Sequence, residues 1–358
     1  MRSEHFQDVR RVVIKLGTGI LTDSRKRTDQ VQFAQLVAQV AALRASGREV
    51  VVVSSGAVGA GMGVLGFERR PSELADLQAC AAVGQSRLMA MYESLFRHYE
   101  QGVAQVLLTH EDLADHPRHL NARNTLLTLL KRGVVPIINE NDAVSVTELK
   151  FGDNDRLSAL VASLLPADLL VILTTAEGLI ENFGRPEARR MSIVEALSEE
   201  VEAEAGGTSS ATAVGGMRTK IDAAKIVLRS GIPLVIANGR RFDALSRILA
   251  GEDEGTLFVP RKTRLPGRKR WIAFYHRPAG TLVVDEGARK ALCEGGRSLL
   301  APGVVRIEGD FHPGVVVRIC DQGGRELARG ISRLGSEELK GSGSEHGEVI
   351  HRDDLVVL

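Results

Sequence analysis

Between Arg11 and Pro260 the sequence alternates repeatedly between apolar runs one strand long and stretches with the period of a helix. Arg11-Val12-Val13-Ile14-Lys15-Leu16 and Val50-Val51-Val52-Val53 are the first two runs, and residues 103–108, 134–139, 169–173 and 233–237 continue the series. Between the first two, residues 30–46 place Val31, Ala34, Val37, Val40 and Ala41 at helical spacing, and Gly47 stops them. Residues 121–132, stopped by Gly133, and 217–230, stopped by Gly231, read as helices too. A strand that is apolar throughout must be covered on both faces. The pattern therefore predicts an α/β fold, a mainly parallel sheet sandwiched by helices. Ligands of such sheets collect beyond the carboxyl ends of the strands. Lys15, Ser54-Ser55, the run Asn139-Glu140-Asn141-Asp142 and Thr174 all fall at those ends.

The pattern changes after Pro260. Residues 261–270 are a basic linker. Short segments at 271–275, 281–284, 304–308, 315–319, 349–350 and 355–358 then read as strands, several separated by turn signals such as Pro302-Gly303 and Asp321-Gln322-Gly323-Gly324. The expected division is a domain at 1–260, the linker, and a small β-rich domain at 271–358. A chain of 358 residues has room for both. With a net charge of +1, no global field favours nucleic acid or an anionic membrane. Asp168 interrupts the longest apolar run and the first residues are polar, so neither a membrane span nor a signal peptide is expected. Cys80, Cys293 and Cys320 lack metal-site or disulfide-framework spacing and read as packing residues of a cytoplasmic protein.

Several short motifs point to phosphate chemistry on a small polar substrate. In Lys15-Leu16-Gly17-Thr18-Gly19, glycines let backbone N–H groups approach an anion beside a fixed positive charge. Ser54-Ser55-Gly56-Ala57 offers small residues against which a substrate can lie. Gly215-Gly216-Met217-Arg218-Thr219-Lys220 joins a Gly/Ala/Ser/Thr loop, residues 206–216, to a helix start, which suits a phosphoryl group. Asn139-Glu140-Asn141-Asp142 and Gly152-Asp153-Asn154-Asp155 supply carboxylates and amides at the edge of a core. Gly61-Met62-Gly63-Val64-Leu65-Gly66 matches the dinucleotide fingerprint, but it does not directly follow a strand and shows no clear helix start. No Walker A loop occurs. His116 and His119 have helical metal-pair spacing, but Pro117 stands between them and no third ligand is evident. No metal ligand is assigned, and Trp271 reads as packing.

Taken in order, these motifs resemble the glutamate 5-kinase family of amino acid kinases. The likeness adds Ala82-Val83-Gly84-Gln85-Ser86 and Leu120-Asn121-Ala122-Arg123, and residues 271–358 resemble a PUA domain. The resemblance implies ATP-dependent phosphorylation of the side-chain carboxylate of L-glutamate to L-glutamyl 5-phosphate, the first step of proline biosynthesis. It implies Lys15, Lys220 and Asp155 as catalytic residues, the lysines screening the phosphoryl group and Asp155 holding both. Ser55, Asp142 and Asn154 would bind glutamate. Lys15, Thr174, Thr175, Val214, Gly215, Gly216, Met217, Arg218, Thr219 and Lys220 would bind ATP, with Mg2+ on its phosphates. A glutamyl phosphate reductase would take the product, and a homo-oligomer is expected. Two positions depart from the family pattern: Thr175 replaces an acid, and Ala213-Val214 replaces Gly-Thr. Other readings are an acetylglutamate or uridylate kinase, or an RNA-binding protein acting through the PUA-like domain. Against RNA, residues 268–358 carry fourteen Lys/Arg and thirteen Asp/Glu.

Overall fold

The apolar runs of the first 260 residues are strands, and the computed structural model, which describes residues 2–23, 28–144, 154–205, 216–260, 265–341 and 347–358, arranges them in one sheet. The chain forms two compact units, Met1–Arg264 and Leu265–Leu358. In the first, the strands are β1 (Arg11–Leu16), β2 (Glu49–Val53), β3 (Val103–Leu108), β4 (Val135–Glu140), β5 (Leu169–Thr174), a ribbon of β6 (Ile180–Glu181) with β7 (Arg189–Arg190), β8 (Ile193–Val194), β9 (Leu234–Asn238) and β10 (Thr256–Phe258). The large sheet runs β3-β4-β2-β1-β5-β9-β10-β8. Every pair in it is parallel except β9 with β10.

β1 lies inside the sheet, with Val12 opposite Val50 on one side and Leu169 on the other. Its carboxyl end therefore sits between those of β2 and β5, where the strand order changes direction and a parallel sheet opens a crevice. Asp168, which breaks the apolar run, accepts the N–H groups of Arg10 (3.0 Å) and Arg11 (2.8 Å) at the other end of this strand pair. Helix Gln30–Ala45 is started by Asp29, whose carboxylate accepts the Gln32 N–H at 3.1 Å, and it buries Phe33, Leu36, Val37 and Val40 in the core. The short turn of helix Arg2–His5 is pinned far along the chain. The Arg2 guanidinium is buried and donates to the carbonyls of Ser192, Glu254 and Gly255. No helix among the described residues is long and apolar enough to cross a membrane.

The second unit holds a five-stranded sheet. The strands of this unit are β11 (Thr281–Val284), β12 (Leu299–Leu300), β13 (Val304–Glu308), β14 (Val316–Cys320), β15 (Glu326–Ile331), β16 (Glu348–Ile350) and β17 (Leu355–Val357). The order is β13-β11-β14-β15-β17, with β12 and β16 paired separately. Here the structure corrects the sequence in two places. Residues 271–275 are not a strand; residues 271–274 finish a helix, Gly267–Phe274, which is capped by Tyr275 and also takes in the end of the supposed linker. Pro266 begins it, its carbonyl accepting the Arg270 N–H at 2.9 Å. Residues 261–264 lie outside the described residues. β15 was not expected, because Glu326 and Arg329 hide its pattern; those two pair with each other at 2.6 Å.

The structure agrees with setting aside the Gly61–Gly66 fingerprint, and it changes the reading of Pro117. Residues 57–65 form a helix, Ala57–Leu65, closed by Gly66, so the Gly61–Gly66 run is the end of a helix and not a nucleotide-binding turn. Pro117 does not disrupt its neighbourhood: it sits in the first turn of helix His116–Lys131, where its missing N–H is no loss. Among the described residues no group of three or more His, Cys, Asp or Glu could hold a metal.

Candidate active site

Lys15, next to last in β1, points its ammonium at Asp155, the first residue of helix Asp155–Leu164, with Nζ to Oδ1 at 2.6 Å. Lys220, in the first turn of helix Met217–Arg229, reaches the other oxygen at 2.9 Å. Thr219 Oγ1 donates to that same oxygen at 3.0 Å. Asp155 is 0% exposed, and Lys15 and Lys220 are buried. Ions taken out of water must be paired closely, and here one carboxylate is shared by two ammonium groups. The start of a helix favours a carboxylate such as Asp155 and disfavours a cation such as Lys220, so Asp155 is what allows Lys220 to stand there. Two lysines against one carboxylate leave a net positive charge. Two helix N-termini open onto the same place. This arrangement suits a polyanion.

A second cluster adjoins it through Asn154, the residue before Asp155. Its Nδ2 donates to the Ser54 carbonyl (2.5 Å) and to Asn139 Oδ1 (2.7 Å), and lies 3.5 Å from Ser55 Oγ. Asn139 Oδ1 also accepts the Glu140 N–H at 3.0 Å, and Asn139 Nδ2 donates to Gln85 Oε1 at 2.8 Å. Ser54 Oγ shares a hydrogen bond of 2.8 Å with the Tyr92 hydroxyl. Burial pushes that phenol far above its ordinary pKa, against a smaller opposing pull from Ser54, so Tyr92 stays neutral. Tight helix contact holds this cluster. Gly56 takes a left-handed turn (φ 98°) out of β2 into helix Ala57–Leu65. A Cβ on Gly61 would lie 1.8 Å from the Cys80 carbonyl oxygen, and one on Gly84 would lie 1.8 Å from that of Ala57. Only glycine lets helix Leu74–Arg97 come close enough to bring Gln85 and Tyr92 to the strand ends.

The expected site residues thus fall into groups. Lys15, Asp155 and Lys220 meet directly, with Thr219 on the same carboxylate. Ser55 and Asn154 meet at the end of β2. Asp142 is half-buried in the turn after β4. Thr174 closes β5, and exposed Thr175 follows it, its methyl 3.1 Å from where a Gly19 Cβ would stand. Gly216 caps the Lys220 helix, Met217 is buried and Arg218 faces solvent. Val214 and Gly215, like Gly152 and Asp153, lie outside the described residues. Sequence reasoning placed Asn139 in a strand-end run and Gln85 in a family motif without giving either a role, and it did not single out Tyr92. Their signal was a buried polar residue in an otherwise apolar stretch. Nor did it find the tie beside Thr175. Glu177 accepts from Asn238 Nδ2 and from Arg241, each at 2.7 Å, and the Asn238 bond leads in holding its carboxyl below the usual range.

The amino acid kinase family matches residues 10–238, and the PUA domain matches residues 280–352. Over the whole of both chains, the sequence is 48% identical to the glutamate 5-kinase of Geobacter sulfurreducens. It is 48% identical to that of Paraburkholderia xenovorans over 98% of each chain. It is 47% identical to that of Caldanaerobacter subterraneus over 97% of this chain and 98% of the relative. Among solved structures, carbamate kinase from Giardia lamblia bound to AMP-PNP superposes with a TM-score of 0.52 at 20% identity, over 71% of this chain and 99% of that one, a likeness of fold.

Proposed function

The chain belongs to the amino acid kinase family and carries a PUA domain, and from that premise we propose that it transfers the terminal phosphoryl group of ATP to the side-chain carboxylate of L-glutamate. The product is L-glutamyl 5-phosphate, the first intermediate of proline biosynthesis. Full-length identity to glutamate 5-kinases supports this reaction. The observation that carries it is the buried bridge Lys15–Asp155–Lys220 beside an amide-lined cluster at the strand ends.

A carboxylate attacking a triphosphate brings two anions together, so the enzyme must neutralise charge and align the reactants. Lys15 and Lys220 screen the transferring phosphoryl from two sides, and Asp155 fixes their separation. Gly216 to Thr219 and the start of their helix receive the phosphates, with Thr174 and Thr175 on the nucleotide side. Val214 and Gly215 belong to the same stretch of sequence. Ser55, Asn154 and Asp142 hold glutamate, Asp142 through the α-ammonium. No side-chain base is required, because the attacking carboxylate is already ionised. As a kinase the protein uses ATP with a divalent metal, and Mg2+ is the ion we assign. An ion held mainly by phosphate oxygens would fit beside Asp155, whose own oxygens are taken up by the two lysines. When bound, Mg2+ neutralises charge on those oxygens.

The labile acyl phosphate calls for prompt consumption, which suits a glutamyl phosphate reductase as the next enzyme. A homo-oligomer working in the cytoplasm completes the reading. The test is hydroxylamine trapping with ATP and Mg2+ across L-glutamate, L-aspartate, N-acetylglutamate and UMP. Hydroxamate with glutamate alone is expected. Turnover of UMP or N-acetylglutamate without glutamyl hydroxamate would overturn the assignment.

A further inference from the structure

A second hollow lies at the opposite end of the sheet, where β2 and β4 begin. It is a cavity of about 160 Å³, and Arg44, Arg48, Glu49 and Lys131 are on its lining. Ser54-Ser55 and Asn139 stand toward the other ends of the same two strands. Helices Gln30–Ala45 and His116–Lys131 both stop here, and a left-handed glycine follows each, Gly47 (φ 88°) and Gly133 (φ 75°). Helix ends of this kind attract cations, which is the ordinary reason to find arginine and lysine beside them. Capping does not use these side chains up. The carbonyls of Ala42, Leu43 and Arg44 already take the N–H groups of Ser46, Arg48 and Gly47, and those of Thr128, Leu129 and Leu130 take Arg132, Val134 and Gly133. Arg44 alone reaches a carbonyl, that of Gly133, with Nε at 3.2 Å and Nη2 at 3.0 Å, which leaves its Nη1 uncommitted. Arg48 gives Nη1 to Ser46 Oγ at 2.7 Å, and its Nε is buried with no hydrogen-bond partner among the described residues.

The charges do not balance. Glu49 is held by Arg11, whose Nε and Nη2 both reach its Oε2 at 2.7 Å, so that pair is neutral as a unit. Arg44, Arg48 and Lys131 bring three positive charges to one hollow, and among the described residues none of them meets a carboxylate. A concave surface of one sign concentrates the opposite ion. We infer that this cavity binds a small phosphate-bearing anion, at a site separate from the catalytic centre. Guanidinium groups present paired N–H donors that match phosphate oxygens. Three unmatched cations suit a dianion better than a single carboxylate. A cavity of about 150 Å³ can hold a benzene ring, so there is room for several atoms beyond the phosphate. Val50, Leu130 and Val134 give those atoms an apolar wall.

The experiment follows the thermal midpoint of the full chain as inorganic phosphate replaces chloride at constant ionic strength, and takes the apparent affinity from the concentration dependence. Phosphate also strengthens burial in proteins generally, so the comparison between variants decides. The background is Lys220→Ala, which leaves Lys15 and Asp155 as a neutral pair and so weakens the pull of the catalytic centre on anions. In that background phosphate should give a saturable rise. Adding Arg48→Gln and Lys131→Gln should weaken the apparent affinity about tenfold or more, the effect of losing hydrogen bonds to a charged group. Adding Arg132→Gln instead removes an exposed cation next to the cavity but not on its lining, and should change nothing. Acetate in place of phosphate should give no saturable rise. Where the Arg48 change unfolds the protein too early, Lys131→Gln alone, at an exposed side chain, should show the same loss in smaller measure. A saturable rise seen in the wild type but absent from Lys220→Ala would assign phosphate to the catalytic centre and overturn this site. So would no saturable rise in either, or full affinity after the Arg48 and Lys131 changes. An equal loss in Arg132→Gln, or an equal response to acetate, would reduce the effect to general surface charge and overturn it as well.

Discussion

Asp155 does two jobs with one side chain, so its loss should be felt in both folding and rate. Asp155→Ala leaves two buried ammonium groups facing each other. Breaking a buried ion pair from one side typically costs about 3–5 kcal/mol, which urea unfolding would read as a large fall in midpoint. Lys220→Ala removes the charge proposed to act on the phosphoryl group, and a fall in kcat of about a hundredfold or more is expected, with little change in the KM for glutamate. Asp142→Ala should do the reverse, and steady-state kinetics on both variants would expose an exchange of roles. Thr175→Asp should tighten ATP binding about tenfold, because a hydrogen bond involving a charged group is worth about 1.5–3 kcal/mol. Glu177 is a neighbouring acid that could already serve, but both its oxygens are engaged by Asn238 and Arg241. A titration of ATP showing no gain in Thr175→Asp would mean that the threonine is not in the nucleotide path. At this scale the sequence reading singled out Lys15, Asp155 and Lys220, and the structure brings the three together. The hydrogen bonds that tie Asn139 to Asn154 and Gln85 were not legible there, because no spacing in the sequence encodes which amide meets which.

The elements follow a related logic. β1, β2, β4 and β5 are covered on both faces, so each leaves an unbroken apolar run that reads directly as a strand. Helix Gly267–Phe274 leaves a similar run and was misread, since Trp271-Ile272-Ala273-Phe274 buries most of one helical turn at once. β15 failed in the opposite way. It carries charge and a glycine, Gly330, where a Cβ would come within 2.6 Å of Ile350 Cγ2. The close contact of helices Ala57–Leu65 and Leu74–Arg97 makes a sharper prediction. Gly84→Ala must push the helices apart, since the added carbon meets backbone and not a movable side chain. A loss of about 1–3 kcal/mol is expected from overpacking. Because the shifted helix begins just after Ser55, the KM for glutamate should rise as well. Stability falling without any change in KM would show that the strand ends hold the cluster unaided.

Over the whole molecule, every described residue proposed for the site lies in the first unit, which ends at Arg264. A protein cut after Arg264 should therefore fold and form glutamyl hydroxamate, and an insoluble or inactive product would show that the second unit completes the fold or the site. The first unit has its own constraint in time. Val12 needs Leu169 beside it, and Arg2 finds its partners at Ser192, Glu254 and Gly255. Contacts separated by about this much chain make folding slow, because the loop must close before anything is gained. During synthesis the earliest strand must wait for β5, and the Arg2 turn must wait for almost the entire unit. With β2 on one side only, β1 offers an open apolar edge to any neighbour in the meantime, so the nascent chain is the form of this protein most in need of a chaperone.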